Sequence, residues 1–252
     1  MLSYIALFGV AFVLPIYMAV AQDVKCSPLH LIYARATMEA KGYGAAGGSL
    51  ITELQKLIPD VTTYPVDYPA DWSGCATETK GVNDILKHID ATSKACPEQK
   101  FVLGGHSQGS VVVTSSISKI PQAAKAKLLA VTMFGAPPCL AEVKDRCKSY
   151  CNAGDDICAG TSNPKSDGLC RGPKGARLWT GAPLETKEIL DLAAVIHYQH
   201  GEFDAKAAEE CNADVPEKGH AVSGFAKSYN RDAFYTKAAA CYIYKKLKDG
   251  AA

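Results

Sequence analysis

The sequence lacks a charge excess of either sign: 27 Lys and Arg face 26 Asp and Glu, for a formal net charge of +1. A nucleic-acid binder works through a concentrated basic footprint, and this chain has no surplus from which to build one. Internal repeats, low-complexity tracts and Gly/Ser linkers are also missing, which excludes solenoid arrays and flexible multi-domain strings. Beyond residue 21 no apolar run is long enough to span a bilayer. With 48% hydrophobic and 21% charged residues over 252 positions, the composition is not that of a disordered, collagen-like or coiled-coil chain. It suffices for one large core.

Residues 2–21 carry no charged side chain, end in the small-x-small pattern Ala19-Val20-Ala21, and turn polar at Gln22-Asp23. This reads as a secretory signal peptide cleaved after Ala21. Pro15 and the absence of a flanking basic cluster speak against a membrane anchor. Cleavage there keeps all ten cysteines, since the first is Cys26. An even cysteine count in an oxidising compartment implies a disulfide framework.

Hydrophobic periodicity gives an alternation of strands and helices. Leu29–Ala34, Val61–Val66, residues 100–104 and 128–134 read as short strands, with Pro65 pointing to an edge position. Leu50, Ile51, Leu54, Leu57 and Ile58 form one face of a helix expected to start at Ser49 and stop at Pro59-Asp60. Val82, Ile85, Leu86 and Ile89 mark a second helix over residues 77–94. A last helix is expected from Asp232 to Lys248, capped by Asp232 and burying Phe234, Ala238 and Cys241. Alternation of this kind predicts a single α/β domain with a mostly parallel sheet covered on both faces. The rhythm lapses over residues 159–219, which read as an insertion carrying at most a short helix near Glu185–Ile196.

Gly105-His106-Ser107-Gln108-Gly109 places G-x-S-x-G directly after a predicted strand. The serine of such a turn adopts an unfavourable backbone conformation, and the flanking glycines let the turn close. Its hydroxyl then stands above the carboxyl edge of the sheet, where α/β folds place their ligand crevices. The β-branched run Ser110-Val-Val-Val-Thr favours strand by propensity, so the helix required there must be held by packing.

With these residues in view the chain resembles the cutinase/acetylxylan esterase family of secreted serine esterases. The pieces that carry the resemblance are Ile32-Tyr-Ala-Arg-Ala-Thr-Met-Glu39, Gly105-His-Ser-Gln-Gly109, Cys96 ahead of the serine, and Cys151-Asn-Ala-Gly-Asp-Asp-Ile-Cys158. The resemblance implies a disulfide-stapled α/β-hydrolase domain over residues 22–252, working through an acyl-enzyme with no metal or organic cofactor. It implies Ser107 as nucleophile and Asp155 as acid, with Asp156 as the competing carboxylate. Thr37 and Gln108 follow as oxyanion donors, and Cys26–Cys96 and Cys151–Cys158 as disulfides. Three histidines, His197, His200 and His220, lie downstream. The family base sits just before the last helix in an H-x-x-Y-G segment, which favours His220, with Gly224 retained and Phe234 at the family's distance. His200 and His197 remain as alternatives, and His197 with His200 is also half of a metal-ligand spacing that lacks a third partner. Arg35 and Glu39 are expected to form an ion pair shaping the oxyanion loop.

Cys75, Cys139, Cys147, Cys170, Cys211 and Cys241 admit 15 connectivities, among which Cys211–Cys241 is the pair suggested by position. The resemblance further implies a secreted monomer without nucleic-acid partner or stable membrane anchor, acting on an ester of plant cuticle or cell wall. Cutin-like polyesters or short and medium acyl esters come first, and acetylated polysaccharide second. A non-catalytic secreted interaction protein on a hydrolase scaffold is the reading from another class.

Overall fold

The structure, a computed structural model, describes residues 25–73, 75–136, 138–155, 158, 202–222 and 228–250. The expected signal peptide, most of the insertion with its expected helix, Asp156, Cys170, His197 and His200 lie outside the described residues.

Six strands form one sheet in the order β2-β1-β3-β4-β5-β6: β1 Leu29–Ala34, β2 Thr62–Pro65, β3 Lys100–His106, β4 Leu128–Phe134, β5 Cys147–Asn152 and β6 Lys218–His220. Every neighbouring pair is parallel. The connecting helices among the described residues include α1 Gly44–Leu57, α2 Cys75–Ala95, α3 Gln108–Ile117 and α4 Gln122–Lys125. A 3-10 turn spans Ala141–Arg146, a short helix Ala205–Glu209, and the C-terminal helix Phe234–Asp249.

The two-residue period of the strands sorts their side chains onto two faces. Leu31, Tyr33, Val102, Ala130 and Phe134 meet Leu50, Ile51 and Leu54 of α1 and Tyr235, Ala239 and Ile243 of the C-terminal helix. Ile32, Leu103, Val131 and Met133 meet Val82, Ile85 and Ile89 of α2 and Val112, Val113 and Ile117 of α3. Both faces are therefore apolar, as a covered parallel sheet requires. β2 is an edge strand, consistent with Pro65, which has no N–H to donate.

Two helix starts differ from expectation. α1 begins at Gly44, ahead of Ser49, because Glu39 reaches across the preceding loop and accepts the Ala45 N–H at 2.8 Å. Ser49 lies inside the helix, its hydroxyl 2.7 Å from Thr236 Oγ1. The C-terminal helix starts at Phe234, with Asp232 Oδ1 accepting the Phe234 N–H at 3.0 Å. Phe234 is 37% exposed rather than buried, whereas Ala238 and Cys241 are buried as expected.

Among the described residues four disulfides join Cys26–Cys96, Cys139–Cys147, Cys151–Cys158 and Cys211–Cys241. The two expected from the resemblance and the one suggested by position are all present. Cys139–Cys147 resolves a pairing that the sequence left open. Among the described residues no helix is long and apolar enough to cross a membrane.

Candidate active site

β3 ends at His106 and α3 begins at Gln108, so Ser107 alone makes the turn, at φ 52° and ψ −116°. A serine with positive φ is strained, and the surroundings must hold it there. Its N–H donates to the Phe134 carbonyl of β4 at 2.9 Å, and its carbonyl accepts the Ser110 N–H at 3.0 Å. Both flanking glycines are needed for space. A Cβ on Gly105 would lie 2.7 Å from the Gly109 backbone, and one on Gly109 would overlap the Ala34 carbonyl of β1. α3 is helical despite its β-branched sequence. Val112 and Val113 are fully buried, and Thr114, Ser115 and Ser116 return their hydroxyls to the carbonyls of Ser110, Val111 and Val113 at 2.6–2.7 Å. Burial and these local bonds override propensity.

The loop after β1 packs against this turn. Thr37 Oγ1 donates to Gln108 Oε1 at 3.2 Å, and Gln108 Nε2 donates to the Asp71 carbonyl at 3.0 Å. The Met38 N–H donates to the Ala70 carbonyl at 2.6 Å. The two expected oxyanion donors are thus neighbours beside Ser107, and the 69–73 loop, which the sequence did not single out, ties them down. Arg35 and Glu39 do shape this loop, but among the described residues not as the expected ion pair. Buried Arg35 donates to the backbone carbonyls of Glu39, Tyr68 and Pro69, at 2.8, 2.8 and 3.2 Å. The Glu39 carboxylate instead accepts the N–H groups of Ala36 and Ala45. Each side chain serves backbone groups that the tight loop leaves unpaired.

Asp155 follows β5 within the loop closed by Cys151–Cys158 and is buried. Tyr229 donates its phenol to Asp155 Oδ2 at 2.7 Å. Gly135, at φ 55°, makes room for the carboxylate: a Cβ there would come within 2.9 Å of Oδ2.

His220 ends β6, in register with Asn152 of β5. Its N–H donates to the Tyr235 hydroxyl at 3.0 Å, and its ring stacks on Phe234 with centroids 3.8 Å apart. The ring Nε2 lies 2.5 Å from Asp232 Oδ2. Although burial pushes the Asp232 carboxyl up, hydrogen bonds from His220 and the Phe234 N–H hold it below its ordinary value. Among the described residues, no hydrogen bond joins the His220 ring to Ser107 or Asp155.

Because the sheet is parallel, β1, β3, β5 and β6 deliver Thr37, Ser107, Asp155 and His220 to one edge. Aromatic packing connects the pieces. The His106 ring meets Tyr229 edge-on at 5.2 Å, and Tyr229 packs against Tyr235, the hydroxyl partner of His220. Tyr229, and Asp232 as a ring partner, were not singled out by sequence reasoning, which read Asp232 only as the cap of the last helix; the cap position is Ala233, and Asp232 accepts the Phe234 N–H from one residue before it. No group of three or more potential metal-ligating side chains occurs among the described residues.

The profile of the cutinase family matches residues 25–168, more than half of the chain. A carboxylesterase of Mycobacterium tuberculosis, Culp1, is 35% identical over 114 residues, covering 44% of this chain and 52% of that protein. A cutinase of Botryotinia fuckeliana is 32% identical over 146 residues, covering 54% of this chain and 72% of the relative. The chain thus spans about half the length of the carboxylesterase it matches. Among solved structures, an acetyl xylan esterase superposes with a TM-score of 0.51 at 16% identity, over 88% of this chain and 100% of that one, a likeness of α/β-hydrolase fold alone.

Proposed function

The chain belongs to the cutinase family, and from that premise we propose that it is a secreted serine esterase cleaving carboxylic esters through an acyl-enzyme. The observation that carries this reading is Ser107 itself, alone on a strained strand-to-helix turn with α3 starting at the next residue. A core serine has no reason to occupy that conformation, whereas a nucleophile gains an outward hydroxyl and adjacent N–H donors. The four disulfides support secretion, since such bonds persist in oxidising compartments.

In the proposed reaction Ser107 Oγ attacks the ester carbonyl while His220 takes its proton, and Asp155 stabilises the imidazolium. The backbone amides of Thr37 and Gln108 receive the negative charge that develops on the carbonyl oxygen. The tetrahedral intermediate expels the alcohol, protonated by the imidazolium, and leaves an acyl-Ser107. Water activated by the same imidazole then releases the acid. Catalysis requires the His220 ring to turn from Asp232 towards Ser107. The preferred substrates are cutin-like polyesters or short and medium acyl esters.

Hydrolysis of p-nitrophenyl butyrate by the wild type and Ser107→Ala tests the class, with the variant expected to lose at least about 10³-fold in kcat/KM. Equal rates would exclude the esterase reading. Alanine at His220, compared with alanine at His197 and His200, identifies the base. Loss confined to His200→Ala or His197→Ala would reassign it.

A further inference from the structure

We infer that Tyr229 is a positioning residue for the Asp155 carboxylate, fixing one of its oxygens so that the other faces the base. The inference rests on Asp155 as the acid of the proposed esterase. Tyr229 Oη donates to Asp155 Oδ2 at 2.7 Å and accepts the Asn152 N–H at 3.1 Å, so the phenol is itself oriented by β5. Its ring is 2% exposed and wedged between the elbow strand, β4 and the C-terminal helix. It contacts His106 edge-on at 5.2 Å, Phe134 at 5.7 Å and Tyr235 at 6.2 Å. Gly135 leaves the space in which the phenol and carboxylate meet: a Cβ there would approach both Asp155 Oδ2 and Tyr229 Cε2, at 2.9 and 3.2 Å.

Three further points favour positioning over packing alone. A phenylalanine would fill the same volume, so what that substitution removes is the hydroxyl with its two bonds, to Asp155 Oδ2 and from the Asn152 N–H. Burial and then the Asp155 charge push the Tyr229 proton affinity up, so the phenol remains a donor at every working pH. The contact with His106, the residue before the nucleophile, also couples the direction of the carboxylate to the position of the elbow. A rigid second layer of this kind is what holds a catalytic group within its productive angle.

The experiment is a double-mutant cycle on kcat and KM with Tyr229→Phe and Asp155→Asn, each variant checked for a cooperative thermal melt. Loss of a hydrogen bond to a charged group predicts that Tyr229→Phe lowers kcat about 10- to 100-fold with KM unchanged. The same substitution is expected to cost nothing further in the Asp155→Asn background. A kcat within about twofold of wild type, a change confined to KM, or equal losses in both backgrounds would each overturn the inference. An Asp155→Asn enzyme as active as wild type removes the acid assignment and this inference together. An inactive Asp155→Asn enzyme beside a normal Tyr229→Phe enzyme overturns this inference only. 3-Fluorotyrosine at position 229 keeps the ring and the hydrogen bond whatever phenylalanine does to folding. Its stronger donation draws charge from the carboxylate and moves the acidic limb of the kcat/KM profile to lower pH; an unmoved limb would again overturn the inference.

Discussion

Acid should loosen this protein through a pair of histidines remote from Ser107. His30 of β1 is 6% exposed, with Nδ1 2.8 Å from Thr62 Oγ1 and Nε2 2.8 Å from Nε2 of His88 on α2. Two nitrogens that close share a single proton, so one ring donates and the other accepts. The His88 ring stacks on Tyr64 at 3.5 Å, and Tyr64 donates to the carboxylate of Asp84. Burial, and then the neighbouring His88, lower the His30 pKa from 6.5 to about 4. The folded state therefore resists a proton that the unfolded chain accepts. Stability from this group is complete above pH 6.5 and is lost as pH falls from there towards 4. At 1.36 kcal/mol per pH unit the full loss is about 3 kcal/mol, of which about 2 kcal/mol falls between pH 7.5 and 5. His88 and His106, both also lowered by burial, act in the same direction. The assay is therefore a difference: guanidinium unfolding of wild type and His30→Gln at pH 7.5, 6 and 5. The gap between the two proteins should change by about 2 kcal/mol in favour of the variant on acidification. Two stability curves running parallel across that range would refute the reasoning.

Gly135→Ala puts a side chain at φ 55° and 2.9 Å from Asp155 Oδ2; it should cost about 1–2 kcal/mol in thermal stability and reduce kcat more than KM. Asp232→Asn keeps a capping oxygen for the Phe234 N–H but removes the charge facing His220. Its stability cost should stay below about 1 kcal/mol. Because the Asp232 carboxyl is held below its ordinary value, that difference should be present above about pH 4 and vanish as pH falls further. Its kcat should equal or exceed the wild-type value, since the proposed base, His220, is released towards Ser107. Serines at Cys26 and Cys96 open a link between residues 70 apart, and a chemical melt should register a loss of about 4 kcal/mol on the chain-entropy account.

Three of the four strands that the sequence disclosed are buried on both faces; the fourth, Thr62–Pro65, is a half-buried edge strand. Leu29–Ala34, Lys100–His106 and Leu128–Phe134 are mostly apolar, with His30 and Thr132 the buried polar exceptions, so hydrophobicity marks them. β5, reading Cys-Lys-Ser-Tyr-Cys-Asn, is hidden because its buried positions are filled by disulfide sulfurs, the Tyr150 ring and the hydrogen-bonded side chains of Ser149 and Asn152. β6 is three largely exposed residues, Lys-Gly-His, which no periodicity can register. The glycine-rich opening of α1 looks like loop, yet Gly47 is where the Tyr33 ring sits, and a Cβ there would come 2.5 Å from it. The elbow was legible because G-x-S-x-G states a backbone geometry directly. The surroundings of the proposed acid were not: Tyr229 lies far along the chain from Asp155, and only tertiary structure reveals that a lone tyrosine in a polar stretch meets a carboxylate.

The two margins of the sheet have a bearing on self-association. Among the described residues one border is a four-residue strand ending in Pro65, an imino acid without a donor, and the other offers the three residues Lys218–His220. A neighbouring molecule seeking to add a strand finds too short a ladder on either side. Aggregation by edge-to-edge pairing is thereby discouraged.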